Sequence, residues 1–295
     1  MEIKNKQVIS RAVNKKPKFS VAIQSDAYKK LINNTLQDKT RAQNFIANIS
    51  SAVANNRELQ ECDPATILSA GLMTESLNLS LNNQIGHAYL IPFKDNKNNR
   101  TVAQFQLGYK GYLQLAMRSG QYKKINVLAI KGELIKYDPL EEIIEVKLIE
   151  DEFKREKAKT TGYYAFFEYH NGFKKSLYWS REKMEAHALK YSQGYRAKKG
   201  FTFWEKDFDA MAIKTLIRQL ISKWGIMSVE MQDAYIKDMG VIEEDGNVEY
   251  IDNTDTDGYE ETPQQTENNK STKATPKEQV EVVEEEKVEE YKGEF

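Results

Sequence analysis

A chain of 295 residues, 40% apolar and 29% charged, can bury one substantial core, or a core with an appendage, and is too polar for a membrane protein. No apolar run reaches the ~20 residues a bilayer-spanning helix needs, and the start "MEIKNKQVIS" lacks the apolar centre of a secretory signal, so a cytoplasmic chain without membrane attachment is expected. One cysteine, Cys62, rules out an internal disulfide, and His87, His170 and His187 lack ligand spacing, so neither a metal site nor a cofactor is expected.

The formal charge of −1 conceals a division along the chain. Residues 241–295 hold 18 Asp and Glu against 5 Lys, a formal −13, which leaves residues 1–240 at +12. A basic body with an acidic tail suits a partner such as nucleic acid; the plainer reading is a soluble domain that happens to be cationic.

In chain order, the start carries Arg11, Lys15, Lys16 and Lys18 with Pro17 and few large apolar residues, which predicts a flexible basic arm over residues 1–24. Apolar positions at helical spacing, Tyr28, Leu31, Ile32 and Leu36 and then Phe45, Ile46, Ile49 and Val53, predict two helices. Asp63-Pro64 reads as an N-cap followed by proline in the first helical position. The runs "GHAYLIPF" and "TVAQFQLGY" read as strands joined by the exposed loop "KDNKNNR", which supplies Lys94, Lys97 and Arg100. A helix from Gly111 to about Ser119 follows, then strand-like "INVLAI", "EIIEVKLI", "GYYAFFEY" and "KKSLYWS". Ser180 caps "REKMEAHALKYS", a basic loop "GYRAKKG" follows, and a last helix runs from about Asp207 to Trp224. Beyond Gly240 almost no large aliphatic residue remains, so a disordered acidic tail is expected over 241–295, with the core at 25–240. The fold class is α+β: a small antiparallel-rich sheet packed with several helices.

Catalytic templates find little purchase. The chain has no GxxxxGK[ST] phosphate loop, HExxH, CxxC or GxSxG. Its carboxylate clusters, such as Glu141, Glu142, Glu150, Asp151 and Glu152, read as solvated faces, although folding can assemble a metal nuclease from scattered Asp and Glu. Cys62 reads as a small packing residue and His87 as a satisfied polar group in a strand.

The informative stretch is "FQLGYKGYLQLAMRSGQY", where a strand gives way to a helix through Gly108 and Gly111. Lys110 sits where free N–H groups already favour an anion, so its charge works against the helix dipole until a phosphate arrives. Arg118, eight residues on, falls on roughly the same face. Tyr109 either packs in the core or stacks on a base. In "DFDAMAIKTLIRQLISKW", Lys214 and Arg218 lie at i and i+4 opposite an apolar stripe, and are either a solvated face or the second wall of a phosphate groove. The loop cations Arg196, Lys198 and Lys199, followed by "FTFW", form a third basic-aromatic element, a flap over bound nucleic acid.

Taken in order, "LSLNNQIGHAYLIPFKD", "FQLGYKGYLQLAMRSGQYKKI", "SREKMEAHALKYS" and "FWEKDFDAMAIKTLIRQL" resemble the successive signatures of the RecT family of phage single-strand annealing proteins, distant relatives of the lambda phage beta protein. The resemblance spans about residues 45–230. It implies ATP-independent annealing of complementary single strands through an annealed duplex intermediate, homo-oligomers in rings or helical filaments, and a partner exonuclease. On the family's basic motif it places Tyr109, Lys110, Gly111 and Arg118, on its last core helix Asp207, Lys214 and Arg218, and on the entering strand Gln104 and Gln106 as amides facing sugar or base edges. Where many members carry "PW" before that helix, this chain has Phe203-Trp204. The end "EEYKGEF" resembles the acidic, Phe-terminated tips of bacterial single-strand binding proteins, and a host single-strand binding protein is a further candidate partner. Rival readings are a plain single-strand DNA-binding protein and a metal-dependent nuclease.

Overall fold

The computed structural model describes residues 17–200 and 202–250. Helices come first: α1 (Phe19–Ala22), α2 (Asp26–Leu36), α3 (Lys39–Ala54), a 3-10 turn (Leu59–Glu61) and α4 (Pro64–Ser76). Their starts are set by side chains that accept a free first-turn N–H: Ser25 takes that of Tyr28, Asp38 that of Arg41, and Asp63 that of Ala65, with Pro64 at the first position as expected. Helix α4 is buried nearly all round, with Ile67, Leu68 and Ala70 almost fully enclosed, and so forms the centre of the helical layer.

The hairpin β1 (Ala88–Asp95) and β2 (Arg100–Leu107) pairs antiparallel from Ala88–Leu107 to Asp95–Arg100. Next come α5 (Tyr109–Arg118), β3 (Tyr122–Ile130), the hairpin β4 (Gly132–Asp138) and β5 (Ile143–Leu148), α6 (Glu152–Lys157), β6 (Gly162–Tyr169) and β7 (Lys174–Ser180). The chain continues through α7 (Arg181–Tyr191), α8 (Gln193–Arg196), α9 (Phe203–Lys206), α10 (Phe208–Trp224), α11 (Val229–Lys237), β8 (Val241–Ile242) and β9 (Val248–Glu249). The class is α+β, with helices packed on antiparallel strands as expected. The strands divide into three sheets, ordered β1-β2-β8-β9, β3-β6-β7 and β4-β5. Apolar side chains of α4, α10 and the first two sheets share one core, in which Phe105, Tyr112, Phe167 and Leu216 are at most 2% exposed, each worth about 1.5–3 kcal/mol of burial. The acidic group Glu141, Glu142, Glu150, Asp151 and Glu152 is exposed throughout.

Two expected boundaries move. Residues 17–24 are docked, not part of a free arm, because Phe19 and Ile23 bury all but 1% of their surface in the core. The tail cannot begin at 241, because Val241 pairs with Gln104 and β9 closes a further hairpin on β8. Arg100 secures that hairpin by gripping Glu243 at 2.6 Å and Glu249 at 3.2 Å. The expectations for 1–16 and 251–295 lie outside the described residues. Among the described residues, no helix is long and apolar enough to cross a membrane.

Candidate nucleic-acid interface

The strand-to-helix turn is built by close backbone approach. The Gly108 N–H donates to the His87 carbonyl at 2.8 Å. A Cβ on Gly108 would stand 2.2 Å from the Gly86 carbonyl oxygen, and one on Gly111 would stand 2.2 Å from that of His87. Only glycine lets segment 86–87 lie across the first turn of α5. Gly108 is the N-cap and has no side chain to cap the helix, so the first-turn N–H groups lack that partner. Lys110 and Arg118 are both exposed on α5, while Tyr109 is half-buried against the core and Tyr112 is fully buried.

Lys110 and Arg118 converge electrostatically on His87. Burial first, and then the positive fields of Arg118 and Lys110, hold the imidazole below its ordinary value. His87 is not the satisfied strand residue expected from sequence. It precedes β1, and its Nδ1 is buried with no hydrogen-bond partner among the described residues.

The flap meets this turn. Phe203, 45% exposed, lies with its ring 6.5 Å from that of Tyr89. Burial, with Tyr109 and the Asp207 carboxylate nearby, pushes the Tyr89 phenol above its usual value. Arg196, at the end of α8, and Lys198 and Lys199 on the loop after it are exposed, and the loop has its own hydrogen-bonded frame. Thr202 and Glu205 form a capping box, and the Gly200 N–H donates to Glu205 at 2.8 Å. Asp207 caps α10 by accepting from the Ala210 N–H.

The other expected residues go elsewhere. Lys214 does not share an outer face with Arg218: it is buried, and its Nζ donates to Asp238 Oδ1 at 3.1 Å. Asp238, fully enclosed, also accepts from the Leu107 N–H at 2.8 Å and the Tyr112 hydroxyl at 2.9 Å. Burial drives the Lys214 ammonium below its ordinary value, against the pull of Asp238. This lysine therefore neutralises a buried carboxylate and is not available to a phosphate. Arg218 is intermediate, its Nε 3.7 Å from Asp238 and its guanidinium 4.6 Å over the Tyr235 ring, with its side chain 31% exposed. The segments carrying Lys110 and Lys214 do converge, but the second reaches the turn from beneath.

Gln104 is likewise turned inward, donating to the Met239 carbonyl, and Gln106 donates to Gln104 Oε1 at 3.0 Å. Both amides thus serve the junction with the chain after α11. Lys94 is exposed but pairs in register with Thr101, six residues along β1 from the glycine turn and so roughly 20 Å from it. Arg100 is held by Asp95, Glu243 and Glu249. Asp238 is the residue that sequence reasoning missed, because nothing local in "IKDMG" marks it as buried. Cys62 is buried, and burial with nearby carboxylates pushes its thiol up to about 12.

Residues 43–255 match the RecT family. The chain is 44% identical over 215 residues to the uncharacterized protein YqaK of Bacillus subtilis strain 168, covering 72% of this chain and 68% of that one. It is 29% identical over 200 residues to protein RecT of Escherichia coli K12, covering 67% of this chain and 71% of that one. With the family's match running from α3 past β9 and taking in the glycine turn, the flap and α10, the chain belongs to the RecT family.

Proposed function

We propose that the chain binds single-stranded DNA across the glycine turn and the flap, and anneals complementary strands without ATP. The observation that carries this reading is the pair Lys110 and Arg118, exposed on one helix and with no carboxylate partner among the described residues. Arg100 and Lys214, by contrast, each hold a carboxylate. Lys110 beside the free N–H groups of the first turn of α5, with Arg118 at the other end of the same helix, suits phosphates. Arg196, Lys198 and Lys199 extend the positive surface, and Phe203 offers a ring on which a base can stack, worth ~1–3 kcal/mol per base.

Holding the backbone leaves base edges available to a second strand. Duplex stacking, ~1.4 kcal/mol per base-pair step, then supplies the free energy, so no nucleotide hydrolysis is needed. Homo-oligomerisation on DNA belongs to the same proposal. Ile135, Leu140 and Phe153 stand exposed on the β4–β5 hairpin and α6, which is apolar surface that self-association would cover. An exonuclease that produces the single strands is the expected partner.

Mixing two complementary fluorescent oligonucleotides with the protein, without ATP, tests the proposal when pairing and strand length are both followed. Faster pairing of intact strands is the expected result. Slower pairing would make the chain a plain single-strand binder, and shortening with magnesium or manganese would make it a nuclease.

A further inference from the structure

His87 lies within the first signature stretch, but neither the basic motif nor the charge pattern gives it a role at the turn. Its position is fixed at the backbone: its carbonyl accepts from the Gly108 N–H, and Gly111 has no side chain because that carbonyl occupies the space. Its side chain is not fixed in the same way. Its buried Nδ1 has no hydrogen-bond partner among the described residues, which is unfavourable until a new partner removes the deficit. The terminal torsion of histidine is broad, so the ring can turn without leaving its rotamer.

The surroundings of the imidazole are one-sided. From α5, Lys110 and Arg118 place positive charge on it. Asn82, Asn83 and Gln84, which precede it in the chain, do not ionise. From β1 comes the Tyr89 phenol, and from the start of α10 the Asp207 carboxylate, whose field falls on Tyr89. A third cation is therefore disfavoured while the site holds no anion. A phosphodiester between Lys110 and Arg118 reverses the sign, because it screens both cations and offers the ring an acceptor.

We propose that His87 is a third phosphate-binding residue of the turn, engaging the DNA backbone as an imidazolium beside Lys110 and Arg118. Each strand bound at the turn then takes up a proton on His87. The inference rests on the reading of the turn as a single-strand site and adds a residue and a proton to it.

The sign follows from linkage. Burial and the two cations hold the free imidazole below its ordinary value, and bound phosphate raises it, so the complex carries more protons than the free chain near neutral pH. Affinity must rise as pH falls. One proton per site sets a ceiling of ~tenfold per pH unit.

The test is the affinity of the full chain for fluorescent oligothymidylate at pH 8, 7 and 6 at fixed ionic strength. This probe keeps its charge across that range. Wild type is expected to tighten severalfold from pH 8 to pH 6. His87→Gln should bind more weakly at pH 6 and lose most of the dependence. His87→Arg, with its permanent charge, should bind at pH 8 about as wild type does at pH 6 and be nearly flat. His187→Gln, whose ring packs between Trp179 and Tyr191, should retain the wild-type slope. A wild-type slope in either His87 variant, or a flat wild-type profile, would overturn the proposal while leaving DNA binding intact. Failure of wild type to bind the probe at any pH would instead overturn the reading of the turn itself.

Discussion

Asp238 brings together three segments far apart in sequence. Its oxygens accept from the Leu107 N–H, the Tyr112 hydroxyl and the Lys214 ammonium, and Arg218 approaches at 3.7 Å. An ammonium at i and a guanidinium at i+4 need a compensating charge, and for Lys214 the buried Asp238 carboxylate supplies it. Breaking a buried pair by removing one partner costs ~3–5 kcal/mol. Lys214→Ala should accordingly lower the urea midpoint steeply, whereas Lys110→Ala, on an exposed site, should change stability by less than ~0.5 kcal/mol. A Lys214→Ala protein of wild-type stability that has lost DNA affinity would return that residue to the interface.

At the scale of elements, the turn works because backbone sits where side chains would otherwise be. Gly111→Ala would set a Cβ 2.2 Å from the His87 carbonyl oxygen, and backbone cannot rotate away as a side chain can. The first turn of α5 or segment 86–87 has to shift, at ~1–3 kcal/mol. A lower melting temperature together with weaker oligonucleotide binding is the expected outcome. A variant that melts and binds like wild type would show that the close approach is dispensable.

Elements written in local pattern were legible. The stripes of α3 and α10, the Asp63-Pro64 start of α4 and the β1–β2 hairpin all depend on neighbours within a few residues. What could not be read was where a charged side chain finds its partner. Lys214 pairs with a residue 24 positions on, and Arg100 with residues 143 and 149 positions away. Sequence periodicity gives the face of a helix but not what packs on it. The acidic composition after Gly240 suggested a tail beginning there, yet two of its carboxylates, Glu243 and Glu249, belong to the ordered hairpin that Arg100 holds.

Across the whole molecule, charge is sorted by role. Cations facing carboxylates, Lys214 and Arg100 among them, hold segments together. Lys110 and Arg118, on the helix that follows the turn, have no carboxylate partner among the described residues and stay exposed. A deletion meant to remove acidic sequence without unmaking the ordered hairpin therefore has to begin after Tyr250, because a cut at 241 removes β8 and β9 as well.

The central claim is that phosphates are held by Lys110 and Arg118, and the salt dependence of single-strand binding tests it most directly. Each phosphate contact on a single strand contributes about −0.7 to the slope of log affinity against log salt. Oligothymidylate affinity measured across a salt series for wild type, Lys110→Ala and Lys110→Ala/Arg118→Ala should give slopes shallower by ~0.7 and ~1.4 per bound chain, with affinity reduced and folding unchanged. Equal slopes and equal affinities in all three proteins would contradict the account.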